Sequence, residues 1–322
     1  MFPTLIEFGG TRVPTYLVAL LTGFCLALWL GWRDAKNLGF RRQEYLDFGI
    51  WLLIFGIAGA RIFHVLFDGL GQDYLALCLN PFELDGFSLP EGLCSTNLEC
   101  VRGGGGPVCN PSDGLCYPAR DCFRVFKFWS GGLVVYGGVI AAGLFAWWYA
   151  RRREINWRGV LDLGAWGIPL GIGFGRLGCY AAGCCYGKLC DLGLAVHFPV
   201  NSPAYRNHWE NFQDALQAQW QSGIEGSLGV WPTQLMESFG AFAIFLFAYF
   251  WLRPRTLDER LPKGSAFGIS IALYAALRFV LEFLRADERG ELLSLSTSQW
   301  ISLVVIGLAL WMNTRVQKSA TS

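Results

Sequence analysis

Seven long apolar stretches run through this chain of 322 residues, and each has the length of a membrane-crossing helix. A bilayer core of about 30 Å requires about 20 consecutive, mostly apolar residues in a spanning helix. Only 16% of the residues are charged, whereas soluble proteins contain roughly a quarter. The sequence therefore predicts an all-α integral membrane protein with seven transmembrane helices. The predicted spans are residues 14–32, 46–66, 130–150, 159–178, 234–252, 264–284 and 297–313.

Basic residues in the short connecting segments predict how these spans are oriented. Segments 33–42, 151–158, 253–263 and 315–318 are rich in Arg and Lys, and all fall on one side of the predicted membrane. Because cytoplasmic loops carry the excess of basic residues, we expect the N-terminus outside, the C-terminus in the cytoplasm and the long loops in the periplasm. The net charge of +1 leaves no basic surplus for nucleic acid, so that class of partner is excluded.

The long loop over residues 67–128 is too polar to cross a membrane and is rich in cysteine. An even number of cysteines in an extracytoplasmic segment predicts disulfides, although the sequence leaves their pairing open. The alternative is a zinc site, but no histidine is interleaved at the spacing of a zinc finger. We interpret residues 67–128 as a Cys-rich insertion within one transmembrane domain spanning residues 1–322. Its cysteines are Cys78, Cys94, Cys100, Cys109, Cys116 and Cys122.

A second periplasmic loop, residues 186–232, carries apolar side chains at helical spacing. Trp209, Phe212, Leu216 and Trp220 fall on one face of a predicted helix, opposite polar residues. Two tryptophans on such a face favour a helix lying in the headgroup layer of the membrane. The alternative, which the sequence supports equally, is that this face packs on a small core formed by the loop itself.

Several ionisable residues fall in or beside the spans, near the ends predicted to face the periplasm. Such residues are costly in a membrane and commonly mark function or a buried pair. Arginines converging at headgroup depth predict a site for a phosphate ester, because the guanidinium fork matches phosphate oxygens. The alternative is that each arginine contacts lipid headgroups or joins two helices. The residues are Arg61, His64, Arg176, Arg278, Glu282 and Arg285, of which Arg278 and Glu282 can pair four residues apart.

Glycines are dense in two segments, residues 131–138 and 167–187. Small residues at this density allow helices to pack closely. Paired glycines at a membrane surface also allow the backbone to approach a ligand. The composition does not choose between these two roles.

The motifs together resemble those of the prolipoprotein diacylglyceryl transferases of bacterial inner membranes. The most specific motif begins at Gly175-Arg176-Leu177-Gly178 and continues to Gly183 and Gly187. Tyr16 falls where that family has a tyrosine at the outer end of its first span. The other matching elements are Gly59-Ala60-Arg61, the Gly-Gly pairs between Trp129 and Gly138, Trp231-Pro232-Thr233-Gln234-Leu235 with Glu237, and Tyr274 with Arg278, Glu282 and Arg285.

The resemblance implies transfer of a diacylglyceryl group from phosphatidylglycerol to the lipobox cysteine thiol of a prolipoprotein, with release of glycerol 1-phosphate. It implies an inner-membrane enzyme whose partners are phosphatidylglycerol, the prolipoprotein and the membrane, with no metal or soluble cofactor. The residues it implies to be catalytic are Tyr136, Arg176, Tyr274, Arg278 and Glu282. Those it implies to bind substrate are Tyr16, Arg61, Gly131, Gly132, Gly137, Gly138, Gly178, Gly183, Gly187, Gln234, Glu237 and Arg285.

Three positions depart from the family pattern. Tyr136 stands where the family has His, Cys179 where it has Asn, and Cys184 where it has Glu. The imidazole base is therefore missing, and Tyr136, Tyr274, Glu282 or His64 is the candidate to replace it. We expect at least two of four nearby cysteines to form a disulfide, with a reactive thiol relay as the alternative. These cysteines are Cys179, Cys184, Cys185 and Cys190.

Two other functions compete with the transferase. The three departures favour a divergent family member that binds lipid or a lipoprotein without transferring anything. Retention of the arginines, Tyr16, Glu237 and Tyr274 argues against it. A transporter predicts inverted repeats or helices broken at the midplane. The sequence has no clear repeat, and its polar residues cluster at one predicted membrane face.

Overall fold

A computed structural model of the chain describes residues 4–8, 11–67, 71–87, 94–103, 106–127, 132, 134–286 and 290–321. Most of these residues are helical. The chain separates into two compact units: residues 1–45 with 154–322 form the first, and residues 46–153 form the second. The single domain expected over residues 1–322 stays a prediction.

Twelve helices and six short strands are formed by the described residues. The helices are α1 Thr15–Asp34, α2 Arg42–Phe67, α3 Gly71–Leu79, α4 Asn97–Gly103, α5 Val135–Arg152, α6 Trp157–Ala182, α7 Pro203–Asn211, α8 Gln213–Gln221, α9 Thr233–Phe247, α10 Arg253–Leu257, α11 Ser265–Glu282 and α12 Thr297–Thr321. The strands pair as antiparallel hairpins: β1 Thr4–Phe8 with β2 Thr11–Pro14, β3 Val108–Asn110 with β4 Leu115–Tyr117, and β5 Glu291–Leu292 with β6 Leu295–Ser296. Residues Ala248–Leu252 form a π-helical segment that joins α9 to α10.

Four helical segments among the described residues are long and apolar enough to cross a membrane. They are Thr15–Asn37, Arg42–Phe67, Thr233–Leu257 and Ser265–Glu282. These segments confirm a helical membrane protein that crosses the bilayer several times. Helices α5, α6 and α12 occupy the other three predicted positions. Seven crossings and the orientation of the termini stay predictions.

Glycines allow the helices of the first unit to pack closely. Helix α6 contacts α1, α9 and α11, and α11 contacts α12. A Cβ atom at Gly173 of α6 would lie 2.6 Å from the ring of Phe242 in α9. A Cβ atom at Gly240 of α9 would lie 2.5 Å from the side chain of Leu277 in α11. The predicted alternative of close helix packing is therefore confirmed for Gly173, and Gly240, outside the two glycine-dense segments, has the same role.

Buried acidic residues fix the helices at the end of the first unit that is predicted to be cytoplasmic. Asp34, in the last turn of α1, forms an ion pair with Arg253 at the start of α10. Asp162 in α6 accepts hydrogen bonds from the backbone N–H groups of Gly264, at 2.7 Å, and Phe267, at 3.2 Å. Because the first turn of a helix has unpaired N–H groups, Asp162 caps α11.

Three disulfides link the six cysteines of the predicted insertion, all within the second unit. The pairs are Cys78–Cys122, Cys94–Cys109 and Cys100–Cys116. The disulfide prediction is therefore confirmed, and the zinc alternative for this segment is wrong. Asp113 accepts hydrogen bonds from the Leu115 N–H, at 2.9 Å, and the Tyr117 hydroxyl, at 2.7 Å, in the β3–β4 hairpin. These bonds lower the pKa of Asp113.

We expect replacement of Cys100 and Cys116 together by alanine to destabilise the insertion by about 3 kcal/mol, because the closed loop restricts the unfolded chain. The two cysteines are 16 residues apart and buried. Limited trypsin digestion should then cleave the segment near Arg120 and Lys127 faster than in the wild type. An unchanged digestion rate would show that the disulfide contributes little.

The predicted single helix in residues 186–232 is wrong, because the chain bends at Phe212 and forms α7 and α8 instead. Phe212 has φ −138° and ψ 44°, which no α-helix accommodates. Trp209 of α7 stacks on Trp220 of α8, and both rings stack on Tyr205. Leu216 is fully buried. These contacts agree with the alternative in which the loop builds its own small core.

Candidate active site

Several ionisable residues of the predicted spans lie together at one end of the first unit. Helix α6 ends there, α9 begins there and α11 ends there, and these three helices contact one another. Each helix contributes at least one ionisable side chain. They are Arg176 from α6, Glu237 from α9, and Tyr274, Arg278 and Glu282 from α11, with Arg285 three residues beyond α11.

Glu237 lies at the centre of this group and is completely buried. Its Oε2 atom is 3.0 Å from Nε of Arg176, 3.8 Å from Nη1 of Arg278 and 3.9 Å from Nη1 of Arg285. Its Oε1 atom accepts a hydrogen bond of 2.7 Å from the hydroxyl of Tyr274. A buried carboxylate is stable only when it is paired and hydrogen-bonded. Glu237 therefore holds three guanidinium groups from separate segments around one point.

Glu282 forms a second acidic position beside the first. Its Oε2 atom is 2.6 Å from Nη2 of Arg278 and 4.0 Å from Nε of Arg285. Its Oε1 atom accepts a hydrogen bond of 3.0 Å from the Ser296 hydroxyl, at the end of β6. The predicted pair between Arg278 and Glu282 is confirmed.

We refer to Arg176, Arg278, Arg285, Glu237 and Glu282 as the arginine cluster. Its three arginines and two glutamates leave one surplus positive charge. The side chain of Arg176 is 20% exposed, whereas those of Arg278 and Arg285 are 11% and 1% exposed. Surplus charge in a site shielded from water favours binding of a monoanion, since desolvated charges interact strongly. Arg176 is the most accessible of the three guanidinium groups.

The loop that follows α6 is joined to the start of α9 by two side chains. Gln234, which is fully buried, donates a 2.8 Å hydrogen bond to the backbone carbonyl of Cys184. The hydroxyl of Thr233 donates a 3.1 Å hydrogen bond to the carbonyl of Cys185. Oε1 of Gln234 has no hydrogen-bond partner within the described part of the chain. These bonds place the two cysteines beside the helix that carries Glu237.

Cys179, Cys184 and Cys185 bring their Sγ atoms within 4.8 Å of one another. Together with the buried Cys190 they are free thiols, so the expected disulfide among the four is wrong. Cys185 has φ +61°, a conformation that costs a non-glycine residue about 1–3 kcal/mol. Hydrogen bonding from the Cys179 thiol and the positive charge of Arg176 lower the pKa of the Cys185 thiol. We refer to Cys179, Cys184 and Cys185 as the thiol cluster.

Three predicted substrate-binding glycines serve backbone geometry and packing. Gly183 has φ +72° and ends α6, where its N–H donates to the carbonyl of Tyr180 at 3.2 Å. A Cβ atom at Gly178 would lie 2.9 Å from Cα of Tyr16, the predicted first-span tyrosine. A Cβ atom at Gly187 would lie 2.6 Å from the backbone oxygen of Leu284. Tyr16 is 41% exposed and within electrostatic range of Cys179 and Arg176.

We expect Gly187→Ala to destabilise the protein by about 1–3 kcal/mol, because the methyl group overpacks a closed contact. The control is Gly167→Ala, whose Cβ would have nothing within 4 Å. Thermal unfolding in detergent, followed by circular dichroism, should show a lower midpoint for Gly187→Ala only. Equal midpoints for the two variants would contradict the packing argument.

Arg61 in the second unit is occupied by backbone carbonyl groups. Its guanidinium donates to the carbonyls of Val125 at 2.7 Å, Arg124 at 2.6 Å and Gly132 at 2.9 Å. This arrangement agrees with the alternative in which the arginine joins segments of the chain. Gly132 has φ +74°, and a Cβ there would lie 2.3 Å from Nε2 of His64.

The other predicted catalytic and substrate-binding residues of the second unit lie in α5 or just before it. A Cβ at Gly137 would lie 2.5 Å from the backbone oxygen of Gly59, and one at Gly138 would lie 3.0 Å from that of Gly56. These glycines therefore permit α5 to approach α2. Tyr136, in the first turn of α5, is 56% exposed. Gly131 lies outside the described residues.

Sequence reasoning missed the thiol cluster as a unit and the contacts of Ser296 and Thr233. The spacing of Cys179 from Cys184 and Cys185 is a signal, because a helix that ends between them at a glycine turns the chain back. Ser296 has no comparable signal, since it meets Glu282 through the fold of the β5–β6 hairpin.

The fold and the site define a class: a multi-pass helical membrane protein with a buried, net positive Arg–Glu cluster at one end of its packed helices. The family model for prolipoprotein diacylglyceryl transferase matches residues 3–89 and 113–315. The chain belongs to this family. The unmatched residues between 89 and 113 lie inside the Cys-rich insertion.

Curated relatives extend the comparison along the chain. A phosphatidylglycerol–prolipoprotein diacylglyceryl transferase of Clostridium tetani is 26% identical over 320 residues, covering 99% of this chain and 100% of the relative. One of Xylella fastidiosa is 34% identical over 208 residues, covering 61% of this chain and 68% of the relative. One of Neisseria gonorrhoeae is 29% identical over 322 residues, covering 96% and 93%.

Proposed function

We propose that this protein transfers the diacylglyceryl group of phosphatidylglycerol to a cysteine thiol of a prolipoprotein. The names of its relatives describe this reaction for those proteins. The observation that carries the proposal is the set of three guanidinium groups around Glu237, with one surplus positive charge. Phosphatidylglycerol is a phosphodiester with one negative charge, so its headgroup complements the cluster.

The reaction makes a C–S bond and breaks a C–O bond and the S–H bond of the thiol, whose proton passes to a proton acceptor. The thiol sulfur attacks the carbon of the diacylglyceryl group that bears the phosphate, a C–S bond forms, and the C–O bond from that carbon to the phosphate breaks. Glycerol 1-phosphate leaves with the electron pair, so negative charge grows on the phosphate oxygens. Fixed cations at that position stabilise the transition state more than the ground state. Arg176 is the accessible cation, and Arg278 is the next.

The other residues of the cluster have positioning roles in this proposal. The Tyr274 hydroxyl donates a hydrogen bond to Glu237, and Glu282 is paired with Arg278, so both groups are already engaged and neither is the proton acceptor in this proposal. Glu237 and Gln234 orient the arginines and the Cys184–Cys185 loop. Tyr136 stays the sequence-based candidate for proton acceptor, and its exposed side chain is compatible with that role.

The proposal includes seven crossings of the bacterial inner membrane, with the N-terminus outside and the C-terminus in the cytoplasm. Helices at all seven predicted positions support it. The three disulfides support it too, because they require an oxidising compartment for residues 67–128. The basic segments then lie on the cytoplasmic side.

A second candidate is a family member that binds phospholipid or a prolipoprotein without transfer. Tyr136, Cys179 and Cys184 favour it, since the resembling family has His, Asn and Glu at these positions. Both candidates use the arginine cluster for binding, so binding measurements do not separate them.

A transfer assay separates the two candidates. Purified protein is placed in vesicles containing phosphatidylglycerol with labelled acyl chains, and a lipobox peptide is added. The wild type should label the peptide, and Arg278→Ala should lower the rate about 10²-fold or more, because one cation of the site is lost. A peptide with Ser in place of the lipobox Cys is the substrate control. Binding of the lipid with no label on the peptide would support the second candidate.

A further inference from the structure

The thiol cluster has the geometry of a metal site. Three Sγ atoms lie within 4.8 Å of one another, and the three residues are half-buried. Tetrahedral zinc has Zn–S bonds of about 2.3 Å, which separate its sulfur ligands by about 3.8 Å. Side-chain rotations that change the sulfur–sulfur separations by up to about 1 Å would therefore bring the three sulfurs into a zinc coordination sphere. The neighbouring free thiol of Cys190 is not part of the group.

The thiol cluster is beside the arginine cluster in the first unit. Cys179 is three residues beyond Arg176 on α6, so the two side chains are one helical turn apart. The carbonyl of Cys184 is bound by Gln234, which is three residues before Glu237 on α9. A metal held by the thiols would therefore be adjacent to the guanidinium groups that bind the phosphate in the proposed function.

Three protein ligands leave one coordination position open. Structural zinc sites are closed by four protein ligands, whereas catalytic zinc sites use three and keep the fourth for water or substrate. Within the described residues, the group of neighbouring metal-ligating side chains contains these three cysteines and no fourth member. An open position among thiolates suits a soft ligand such as another thiolate.

We propose that Cys179, Cys184 and Cys185 bind one zinc ion, and that the substrate thiol is its fourth ligand. This inference rests on the proposed function and deepens it. The thiol releases its proton to water as it binds zinc, because a coordinated thiol is deprotonated. The zinc-bound sulfur then attacks the diacylglyceryl carbon, the C–S bond forms, the C–O bond breaks, and glycerol 1-phosphate leaves with the electron pair. No oxidant or reductant is consumed.

This arrangement accounts for the positions at which the chain departs from the resembling family. Two of the three departures, Cys179 and Cys184, are zinc ligands in the proposal. The third, Tyr136, stands where the resembling family has the His that would serve as the base. A zinc ion activates the thiol without a basic side chain, so the three departures are consistent with one change of mechanism.

Metal content and a spectroscopic probe test the site without relying on activity. The full chain, purified in detergent without added chelator, should contain about one zinc ion per molecule, measured by inductively coupled plasma mass spectrometry. Cys179→Ser, Cys184→Ser and Cys185→Ser should each lower the content to background, and the control Cys190→Ser should retain it. Co²⁺ in place of zinc should give a thiolate-to-metal absorption band in the near ultraviolet. The lipobox peptide should change that spectrum, and its Cys→Ser form should not.

Each other outcome overturns a specific part. Zinc no higher in the wild type than in Cys179→Ser, or a disulfide joining Cys179 to Cys184 or Cys185, overturns the metal site. A cobalt spectrum that does not change when the lipobox peptide is added contradicts the substrate thiol as the fourth ligand. Equal transfer by wild-type protein before and after zinc removal overturns the mechanism and leaves the proposed function intact. If the metal spectrum responds to the lipobox thiol but the protein transfers no label, the metal site is supported and the proposed function is contradicted.

Discussion

Glu237→Gln is expected to lower the free energy of unfolding by about 3–5 kcal/mol, because it leaves buried charges without their counter-charge. The Glu237 carboxylate is the shared partner of Arg176, Arg278 and Arg285 and is completely buried. Glutamine keeps the shape of the side chain but removes its negative charge. The surplus positive charge of the cluster then doubles. Denaturant unfolding in detergent, followed by tryptophan fluorescence, measures the change.

The control for Glu237→Gln is Glu225→Gln, which replaces an exposed carboxylate in the loop before α9. That variant should unfold within about 0.5 kcal/mol of the wild type, as surface substitutions usually do. Similar unfolding curves for the two variants would show that Glu237 does not hold the arginines in place.

Arg176→Ala is expected to reduce the transfer rate by about 10²–10³-fold while leaving the protein folded. Arg176 is the most accessible guanidinium of the cluster. Its removal leaves Glu237 with Arg278 at 3.8 Å and Arg285 at 3.9 Å, so no buried carboxylate loses all its partners. The fall should be mainly in kcat, because the interaction strengthens as charge develops on the leaving phosphate.

Two further variants check the origin of that loss. Arg206→Ala removes an exposed arginine of α7, in a loop predicted to lie on the same side of the membrane, and should keep the wild-type rate. Arg176→Lys keeps the charge but not the planar fork, so it should recover part of the activity. A rate for Arg176→Ala equal to that of Arg206→Ala would remove Arg176 from the reaction.

The helix positions were predictable because apolar length is a local property of the chain. The spans predicted at 234–252 and 264–284 match α9 with its π-helical continuation and α11 to within a few residues. Apolar spacing was insufficient to locate the helices in residues 186–232, because the apolar pattern of one helix face continues through Phe212. The non-helical backbone angles of Phe212 divide the predicted helix into α7 and α8, and apolar periodicity does not report backbone angles.

The arginine cluster was predictable in membership but not in arrangement. Charged residues inside apolar spans are visible in a sequence, and Arg176 and Arg278 do meet, around Glu237, which only the family resemblance indicated. The central position of Glu237 depends on how three helices pack, which no local pattern reports. Arg61 was chosen by the same rule, yet its guanidinium is occupied by backbone carbonyls. Cysteine count likewise predicted the insertion disulfides but not that Cys179, Cys184, Cys185 and Cys190 are free thiols.

A dual-label transfer experiment tests the central claim most directly. Phosphatidylglycerol carrying ³H in its acyl chains and ³²P in its headgroup is presented in vesicles with the wild-type protein and a lipobox peptide. The account predicts ³H on the peptide cysteine and an equal amount of ³²P in soluble glycerol phosphate, because the C–O bond to phosphate breaks. Appearance of both labels on the peptide, or ³H transfer equal to that of vesicles without the protein, would contradict it.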